Sequence, residues 1–247
     1  MTTGHILIGE IIGTMFLILL GDGVVANVLL GKTKGNSSGW IVITTAWGMA
    51  VFVGAYIAAS VSGAHLNPAV TIGLALAGST SWGDVPIYII GQFIGAILGA
   101  ILVFLAYFPH WAETKDPGLK LAVFSTGPAI RNTAWNLVCE IIGTFALMFG
   151  ILGIKGVTGD MSGSPFSLNM GALGIIPVAF LVWVIGLSLG GPTGYAINPA
   201  RDLGPRIAHA FLPIPGKGSS DWRYSWIPVV GPIVGAVIAA LLFGALM

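Results

Sequence analysis

Two short segments set the architecture of this chain: Ser62-Gly63-Ala64-His65-Leu66-Asn67-Pro68-Ala69-Val70 and Gly194-Tyr195-Ala196-Ile197-Asn198-Pro199-Ala200-Arg201-Asp202. Each contains Asn-Pro-Ala near the start of an apolar stretch, over 66–77 and 197–211. Asparagine is a good N-cap and proline suits the first helical position, so each stretch predicts a short helix that begins at Asn-Pro. About eight to ten helical residues span only about 12–15 Å, half a bilayer. Such a broken segment is tolerated at membrane depth only inside protein or beside a water-filled cavity.

The composition around these segments is that of an integral membrane protein. Of the 247 residues, 55% are hydrophobic and 8% are charged, against roughly 25% charged in soluble proteins. The formal net charge of +1 argues against nucleic acid and against a polybasic lipid-binding surface. Cys139 is the single cysteine, and no Cys/His cluster has metal-ligand spacing, so neither a disulfide nor a metal is predicted. We expect no cofactor.

Six apolar runs are long enough to cross a membrane as helices. They are continuously apolar rather than alternating, which favours helices over strands. The first run has no basic leader and contains Glu10, so it is predicted to be a retained span rather than a signal peptide. The runs lie near 6–28, 40–60, 84–107, 134–154, 171–190 and 226–246. Aromatic residues predicted to mark the membrane interface are Trp40, Trp82, Tyr107, Trp111, Trp135, Tyr224 and Trp226.

The chain contains an internal repeat. The sequence GEIIGT at 9–14 recurs as CEIIGT at 139–144, and the two Asn-Pro-Ala motifs follow in the same order. Each half carries three spans and one short helix. Three is an odd number, so the second half enters the membrane from the opposite side, as an inverted repeat. The predicted fold is an all-α membrane protein with six transmembrane helices and two re-entrant half-helices. It forms one transmembrane domain over 1–247, with repeats of approximately 1–125 and 126–247.

The two half-helices would meet near the middle of the membrane with their N-termini. Each N-terminus contributes roughly half a positive charge, and the amides of Asn67 and Asn198 add hydrogen-bond donors. This arrangement opposes cations and protons and admits neutral molecules. A channel for neutral solutes follows, and an anion-binding site is the competing use of the same dipoles.

With these motifs in register, the chain resembles the major intrinsic protein (aquaporin) family and, within it, the glycerol facilitators. The resemblance implies an aquaporin-like bundle with one pore per subunit of a homotetramer. It also implies a multi-pass plasma-membrane protein with both termini in the cytoplasm. The expected solutes are glycerol, dihydroxyacetone and water, with protons and ions excluded. The motif residues implied at the centre of the pore are Asn67, Pro68, Ala69, Asn198, Pro199 and Ala200.

The resemblance places the selectivity filter at Trp47, Gly186, Tyr195 and Arg201. The two aromatic rings would face the CH edge of a polyol, while Arg201 would bond its hydroxyls. Water-selective relatives carry a bulky His at the position of Gly186, so glycine is expected to leave room for a three-carbon molecule. Glycerol facilitators usually carry Phe at the position of Tyr195. Its hydroxyl is therefore expected to add a polar group at the narrowest point and to alter the relative rates of the solutes.

Backbone carbonyls and three acidic residues complete the predicted site. Glu10 and Glu140 are interpreted as carboxylates that hold the irregular loops, and the alternative is a pair of proton-coupling groups in a carrier. Asp202 is expected to support its loop as a counter-ion of Arg201 or Arg206, and Asp22 is expected at the membrane interface. The carbonyls predicted to line the pore are those of Gly63, Ala64, His65, Gly194, Tyr195, Ala196 and Ile197.

Two other functions compete with a polyol channel. One is a strictly water-selective pore, which Gly186 and Asp202 oppose. The other is an inverted-repeat secondary transporter of an anion. An enzyme is not predicted, because no nucleophile–base pair is apparent.

Charge and family resemblance disagree about orientation. Nine of the ten basic residues lie in loops near 29–39, 108–133 and 191–225, and only Lys155 lies on the opposite side. The positive-inside rule would place those three loops in the cytoplasm. The resemblance places both termini there instead. We follow the resemblance, because Arg201 and Arg206 belong to the pore region.

Overall fold

The computed structural model describes residues 1–154, 157–161, 164–168 and 171–246. Ten α-helices account for most of this part of the chain, and the predicted all-α membrane fold is confirmed. A short antiparallel pair of strands, β1 (Val157–Met161) and β2 (Ser164–Leu168), lies between the seventh and eighth helices. The helices are α1 (Thr3–Leu29), α2 (Trp40–Ser62), α3 (Pro68–Leu76), α4 (Val85–Ala106), α5 (Phe108–Glu113), α6 (Pro117–Phe124), α7 (Thr133–Gly153), α8 (Ile176–Leu189), α9 (Pro199–Phe211) and α10 (Ile227–Leu246).

Five of the six predicted spans are single long helices. Within the described ranges, α1, α2, α4, α7 and α10 are long and apolar enough to cross a bilayer. The sixth predicted span, 171–190, is built differently. A 3-10 helix over Gly171–Ile175 leads into α8, which has 14 residues and a proline in its first turn. Proline suits that position because its missing N–H would have had no partner there.

The half-helices α3 and α9 each pack against the opposite half of the chain. In the first half α1 packs against α2 and α4, and in the second half α7 packs against α10. The half-helix α3 lies against α10, whereas α9 lies against α4, and α2 contacts α8 across the centre. The two repeats are therefore interlocked, and both half-helices begin inside the bundle, where Asn67 and Asn198 are buried.

Small residues bring the paired helices close together at equivalent positions of the two halves. A methyl group on Gly91 would lie 2.9 Å from Cβ of Glu10, and one on Gly231 would lie 2.6 Å from Cβ of Glu140. Only a residue without a side chain permits this approach. The contact places both buried glutamates at fixed positions beside the centre of the bundle.

The predicted aromatic belt is only partly correct. Trp82 and Trp135 are exposed on the outer surface, as expected of interfacial residues. Trp111 and Tyr224 are buried instead. Trp111 donates its Nε1–H to the carbonyl oxygen of Phe104 at 3.0 Å and stacks on neighbouring rings. The prediction for these two residues is wrong because both rings pack against protein: Trp111 lies between Phe104 and Phe124, and the Arg131 guanidinium lies over the ring of Tyr224.

Candidate functional site

The N-termini of α3 and α9 are capped by the two asparagines of the repeated motif. Asn67 Oδ1 accepts a hydrogen bond from the backbone N–H of Ala69 at 2.9 Å. Asn198 Oδ1 accepts from Ala200 N at 3.0 Å and from Arg201 N at 3.2 Å. The caps satisfy backbone donors that would otherwise have no partner at the start of a helix. Both half-helices thus begin where the sequence predicts.

Each asparagine also reaches across to the other half. Asn67 Nδ2 donates to the carbonyl oxygen of Ile197 at 2.8 Å, and Asn198 Nδ2 donates to that of Leu66, also at 2.8 Å. These reciprocal bonds fix the two helix ends against each other. A side-chain amide has two N–H donors, so each asparagine keeps a second N–H for another acceptor.

The segment before each half-helix has an unusual backbone that is the same in both halves. Within the described chain, the carbonyls of 63–65 and 194–196 accept no hydrogen bond from protein. Left-handed conformations at non-glycine residues cost of order 1–3 kcal/mol each, so other contacts must hold these segments. The φ values are +83° at Gly63, +54° at Ala64 and +52° at Leu66, matched by +83° at Gly194, +40° at Tyr195 and +44° at Ile197.

Glu10 holds the first segment. Its Oε1 accepts a hydrogen bond from the Ser62 hydroxyl at 2.6 Å and from His65 N at 3.0 Å. Its Oε2 accepts from Leu66 N at 2.7 Å and from Gln92 Nε2 at 2.8 Å. Hydrogen bonds to a charged group are the stronger kind. Four donors therefore compensate one buried carboxylate and turn the neighbouring carbonyls away from it.

Glu140 holds the second segment in the same way. It accepts from the Thr193 hydroxyl at 2.7 Å, from Ala196 N at 3.1 Å and from Ile197 N at 2.9 Å. Ser62 and Thr193 occupy corresponding places, as do the two pairs of backbone donors. Both carboxylates are engaged by the loops and have at most 1% of their surface exposed. The geometry favours the loop-holding interpretation over proton coupling.

His65 is fixed by groups that the sequence did not single out. Its ring stacks on that of Tyr88 with centroids 3.9 Å apart, and Nδ1 lies 3.2 Å from the Thr71 hydroxyl. Gln92 bonds the same hydroxyl at 3.0 Å. The sequence gives no local signal for Tyr88 or Gln92, because both lie on α4, far from the motif in the chain.

A cavity of about 220 Å³ runs past these segments. One side is apolar and the other carries the irregular backbone and both motif asparagines. Trp47, Tyr195 and Arg201, three of the four predicted filter residues, line it. Gly194 is predicted to present its carbonyl to the pore, but it is not part of the cavity wall. Gly186 does not line it either. The lining includes Leu17, Trp47, Val51, His65, Asn67, Val70, Val182, Tyr195, Ala196, Ile197, Asn198 and Arg201.

The guanidinium of Arg201 lies over the indole ring of Trp47, with Cζ 4.0 Å from the ring centroid. Its Nη1 lies 3.6 Å from Oδ1 of Asp22, a residue of α1. Asp22 has no exposed surface. The expectation that Asp22 faces the membrane interface is therefore wrong, since its side chain points into the bundle toward α9.

Gly186 contacts Tyr195 rather than the cavity. A methyl group on Gly186 would lie 2.7 Å from Cζ of Tyr195 and 2.8 Å from its hydroxyl oxygen. Trp40 meets the same ring edge-on and donates its Nε1–H to the carbonyl oxygen of Gly186 at 3.0 Å. The Tyr195 hydroxyl is buried against this surface, and no described group bonds it. The expected polar group at the narrowest point is thus turned away from the cavity.

Asp202 pairs with Arg206 and not with Arg201. Arg206 donates through Nε to Asp202 Oδ1 at 2.9 Å, and both side chains have no exposed surface. Asp202 Oδ2 also accepts from the backbone N–H and the hydroxyl of Thr126, at 2.7 and 2.6 Å. Thr126 in turn packs beside Gly194. Asp202 therefore holds the 125–131 segment against the second irregular loop.

The geometry is that of two capped half-helices meeting beside one cavity, and the family comparison agrees with it. A family model described as "Major intrinsic protein" matches residues 2–243. The chain belongs to the major intrinsic protein family. Members of this family are channels rather than enzymes, and this major intrinsic protein is accordingly a multi-pass membrane protein.

Named relatives of this major intrinsic protein match it along its length. A "Probable glycerol uptake facilitator protein" of Thermotoga maritima is 60% identical over 238 residues, covering 96% of this chain and 97% of the relative. A "Glycerol uptake facilitator protein" of Bacillus subtilis is 54% identical, covering 96% of this chain and 83% of the relative. Among solved structures, the aquaglyceroporin from Plasmodium falciparum has a TM-score of 0.83 at 31% identity, covering 98% and 96% of the two chains.

Proposed function

We propose that this protein is a passive channel for glycerol and related small polyols such as dihydroxyacetone, together with water. The observation that carries the proposal is the two-sided wall of the cavity. Trp47 and Tyr195 present apolar surface, while Arg201 and the unbonded carbonyls of residues 63–65 and 195–196 present polar groups. A polyol has one CH edge and one hydroxyl edge, and this wall matches both. The names of the relatives from Thermotoga maritima and Bacillus subtilis support the same solute class.

The Asn-Pro-Ala residues and the filter have distinct roles in this proposal. Asn67 and Asn198 offer N–H donors to a solute oxygen as it passes the paired helix ends, and Pro68, Ala69, Pro199 and Ala200 start those helices. The positive ends of α3 and α9 and the charge of Arg201 repel cations and interrupt proton hopping. Gly186 contributes indirectly, because it lets the Tyr195 ring lie back from the cavity.

Two alternatives are separated by one measurement. A water-selective pore would pass water but not glycerol. A secondary transporter would show a flux that saturates, and the engagement of Glu10 and Glu140 by their loops argues against it. Stopped-flow swelling of proteoliposomes with glycerol, dihydroxyacetone and water distinguishes all three. We expect glycerol flux that rises linearly with its gradient and has a low activation energy. A saturating glycerol flux, or none above that of empty liposomes, would refute the proposal.

We further propose that the two repeats form one channel domain, assembled as a homotetramer in the plasma membrane with both termini in the cytoplasm. The native mass of the detergent-solubilised protein should be that of four protomers plus detergent. A reporter fused after Met247 should be active only on the cytoplasmic side. An external reporter signal would instead follow the charge bias of the loops.

A further inference from the structure

Asp22 and Arg201 form a buried pair that the sequence motifs do not predict. Asp22 lies on α1 and Arg201 on α9, and their side chains are 0% and 9% exposed. Neither oxygen of Asp22 has a hydrogen-bond partner in the described chain, and Nη1 of Arg201 has none either. The separation of 3.6 Å is longer than an ordinary hydrogen bond. Asp22 thus compensates the charge of Arg201 without occupying its N–H groups.

No other described carboxylate lies within 4 Å of the Arg201 guanidinium. Asp202 follows Arg201 directly in the chain, but its oxygens bond Arg206 and Thr126. The two arginines of α9 therefore have separate counter-ions, Asp22 for Arg201 and Asp202 for Arg206. Removing one partner of a buried pair leaves the other charge uncompensated.

Gly21, the residue before Asp22, supports the Trp47 ring on which Arg201 stacks. A methyl group on Gly21 would overlap the Trp47 ring, so that ring rests on the backbone of α1. Arg201 stacks on the same ring, with Cζ 4.0 Å from the centroid. The Gly21–Asp22 dipeptide therefore positions both the aromatic ring and the cation that faces it.

We propose that Asp22 is a positioning and specificity-determining residue of the filter. Its carboxylate makes the Asp22–Arg201 pair neutral overall and fixes the guanidinium over Trp47, while the free N–H groups of Arg201 remain available to solute hydroxyls. The filter then binds neutral polyols through donors without attracting small anions. This inference rests on the proposed function only in naming polyols as the solute.

The test is the response of glycerol flux to a small anion. Asp22→Asn, in proteoliposomes, leaves one uncompensated positive charge at the filter. We expect nitrate to inhibit the glycerol flux of this variant at a concentration at least about tenfold lower than for wild type. The matched control salt is gluconate, an anion too large to enter the cavity. Asp22→Glu keeps the charge and should restore the wild-type response. Thr14→Val is the control on the same helix, because Thr14 is equally buried and its hydroxyl has no described partner. It should behave as wild type.

Two results would overturn the inference. One is an Asp22→Asn channel with the nitrate response of wild type. The other is an Asp22→Glu channel as sensitive to nitrate as Asp22→Asn, which would show that side-chain shape rather than charge matters. If Asp22→Asn fails to fold, the double change Asp22→Asn with Arg201→Gln removes both charges. It should fold and resist nitrate, and a nitrate-sensitive or unfolded double variant contradicts the inference. If wild type conducts water but not glycerol, the proposed function fails, and the nitrate comparison is read on water flux instead.

Discussion

The phenol ring of Tyr195 packs directly against Gly186, on the side where a side chain would stand. The hydroxyl oxygen lies within the space that a methyl group on Gly186 would need, and Trp40 closes the site with ring centroids 5.9 Å apart. Gly190 lies under the same ring. The ring therefore has one place to rest, and that place is set by two glycines rather than by a hydrogen bond.

Gly186→Ala should push the Tyr195 ring toward the cavity. A methyl group 2.7 Å from Cζ cannot be accommodated unless the ring moves. Overpacking of this kind costs about 1–3 kcal/mol. We expect glycerol flux to fall more than water flux in liposome swelling, because glycerol is the larger molecule. Gly244→Ala is the control, since no atom lies within 4 Å of the added methyl group. Equal losses for the two solutes would contradict the placement of the ring.

Tyr195→Phe should leave the ratio of glycerol to water flux within about twofold of wild type. The sequence alone suggests the opposite, but the hydroxyl is buried against Gly186 and does not reach the solute. A buried hydroxyl without a partner is unfavourable by about 1–3 kcal/mol. The variant should therefore unfold in detergent at the same or a higher temperature. A large change in the flux ratio would place the hydroxyl in the pathway after all.

Glu140→Gln should weaken the second irregular loop. Ala196 N bonds Oε1 and Ile197 N bonds Oε2, and glutamine replaces one of these oxygens with an NH2 group that cannot accept. Hydrogen bonds to charged groups contribute about 1.5–3 kcal/mol each. We expect a lower thermal midpoint and reduced flux of every solute. Glu113→Gln is the control: the hydrogen bond from Lys32 lowers the pKa of Glu113, yet the pair is exposed and should matter little. A Glu140→Gln variant that keeps its thermal midpoint but loses proton-coupled solute uptake would instead favour the carrier interpretation.

Asp202→Asn should be strongly destabilising. It leaves Arg206 buried with a neutral partner, and breaking such a pair costs about 3–5 kcal/mol. For a chain of this size that lowers the thermal midpoint by on the order of 10 °C. Asp221→Asn breaks the exposed pair with Arg131 and should cost less than about 1 kcal/mol. Similar shifts for the two variants would show that the buried pair is not a structural anchor.

The parts of the fold that sequence predicts well are those with local signals. Asn67 and Asn198 start their helices because capping and proline placement act within a few residues. The long apolar runs become helices because the bilayer leaves the backbone few other options. Glu10 and Glu140 are predicted to occupy equivalent places because the sequence repeat at 9–14 and 139–144 aligns them.

The parts that sequence misses depend on contacts between distant segments. Asp22 lies in an apolar run and gives no hint that Arg201 will face it. Gly186 was expected to leave space for solute, but that space is taken by Tyr195, a fact set by the packing of α8 against the second loop. Trp111 resembles an interfacial residue in the sequence, but its ring is buried against Phe104 of α4 and Phe124 of α6.

The crossed packing of the half-helices has a consequence for biogenesis. Because α3 rests on α10 and α9 rests on α4, neither repeat can complete its own half of the structure. The first half leaves the ribosome before the surface that receives α3 exists. Until the second half has been inserted, the Leu66 carbonyl has no hydrogen bond from Asn198 and α3 has no contact with α10. Two fragments divided near residue 125 should therefore each be degraded when expressed alone. Both should accumulate when they are co-expressed.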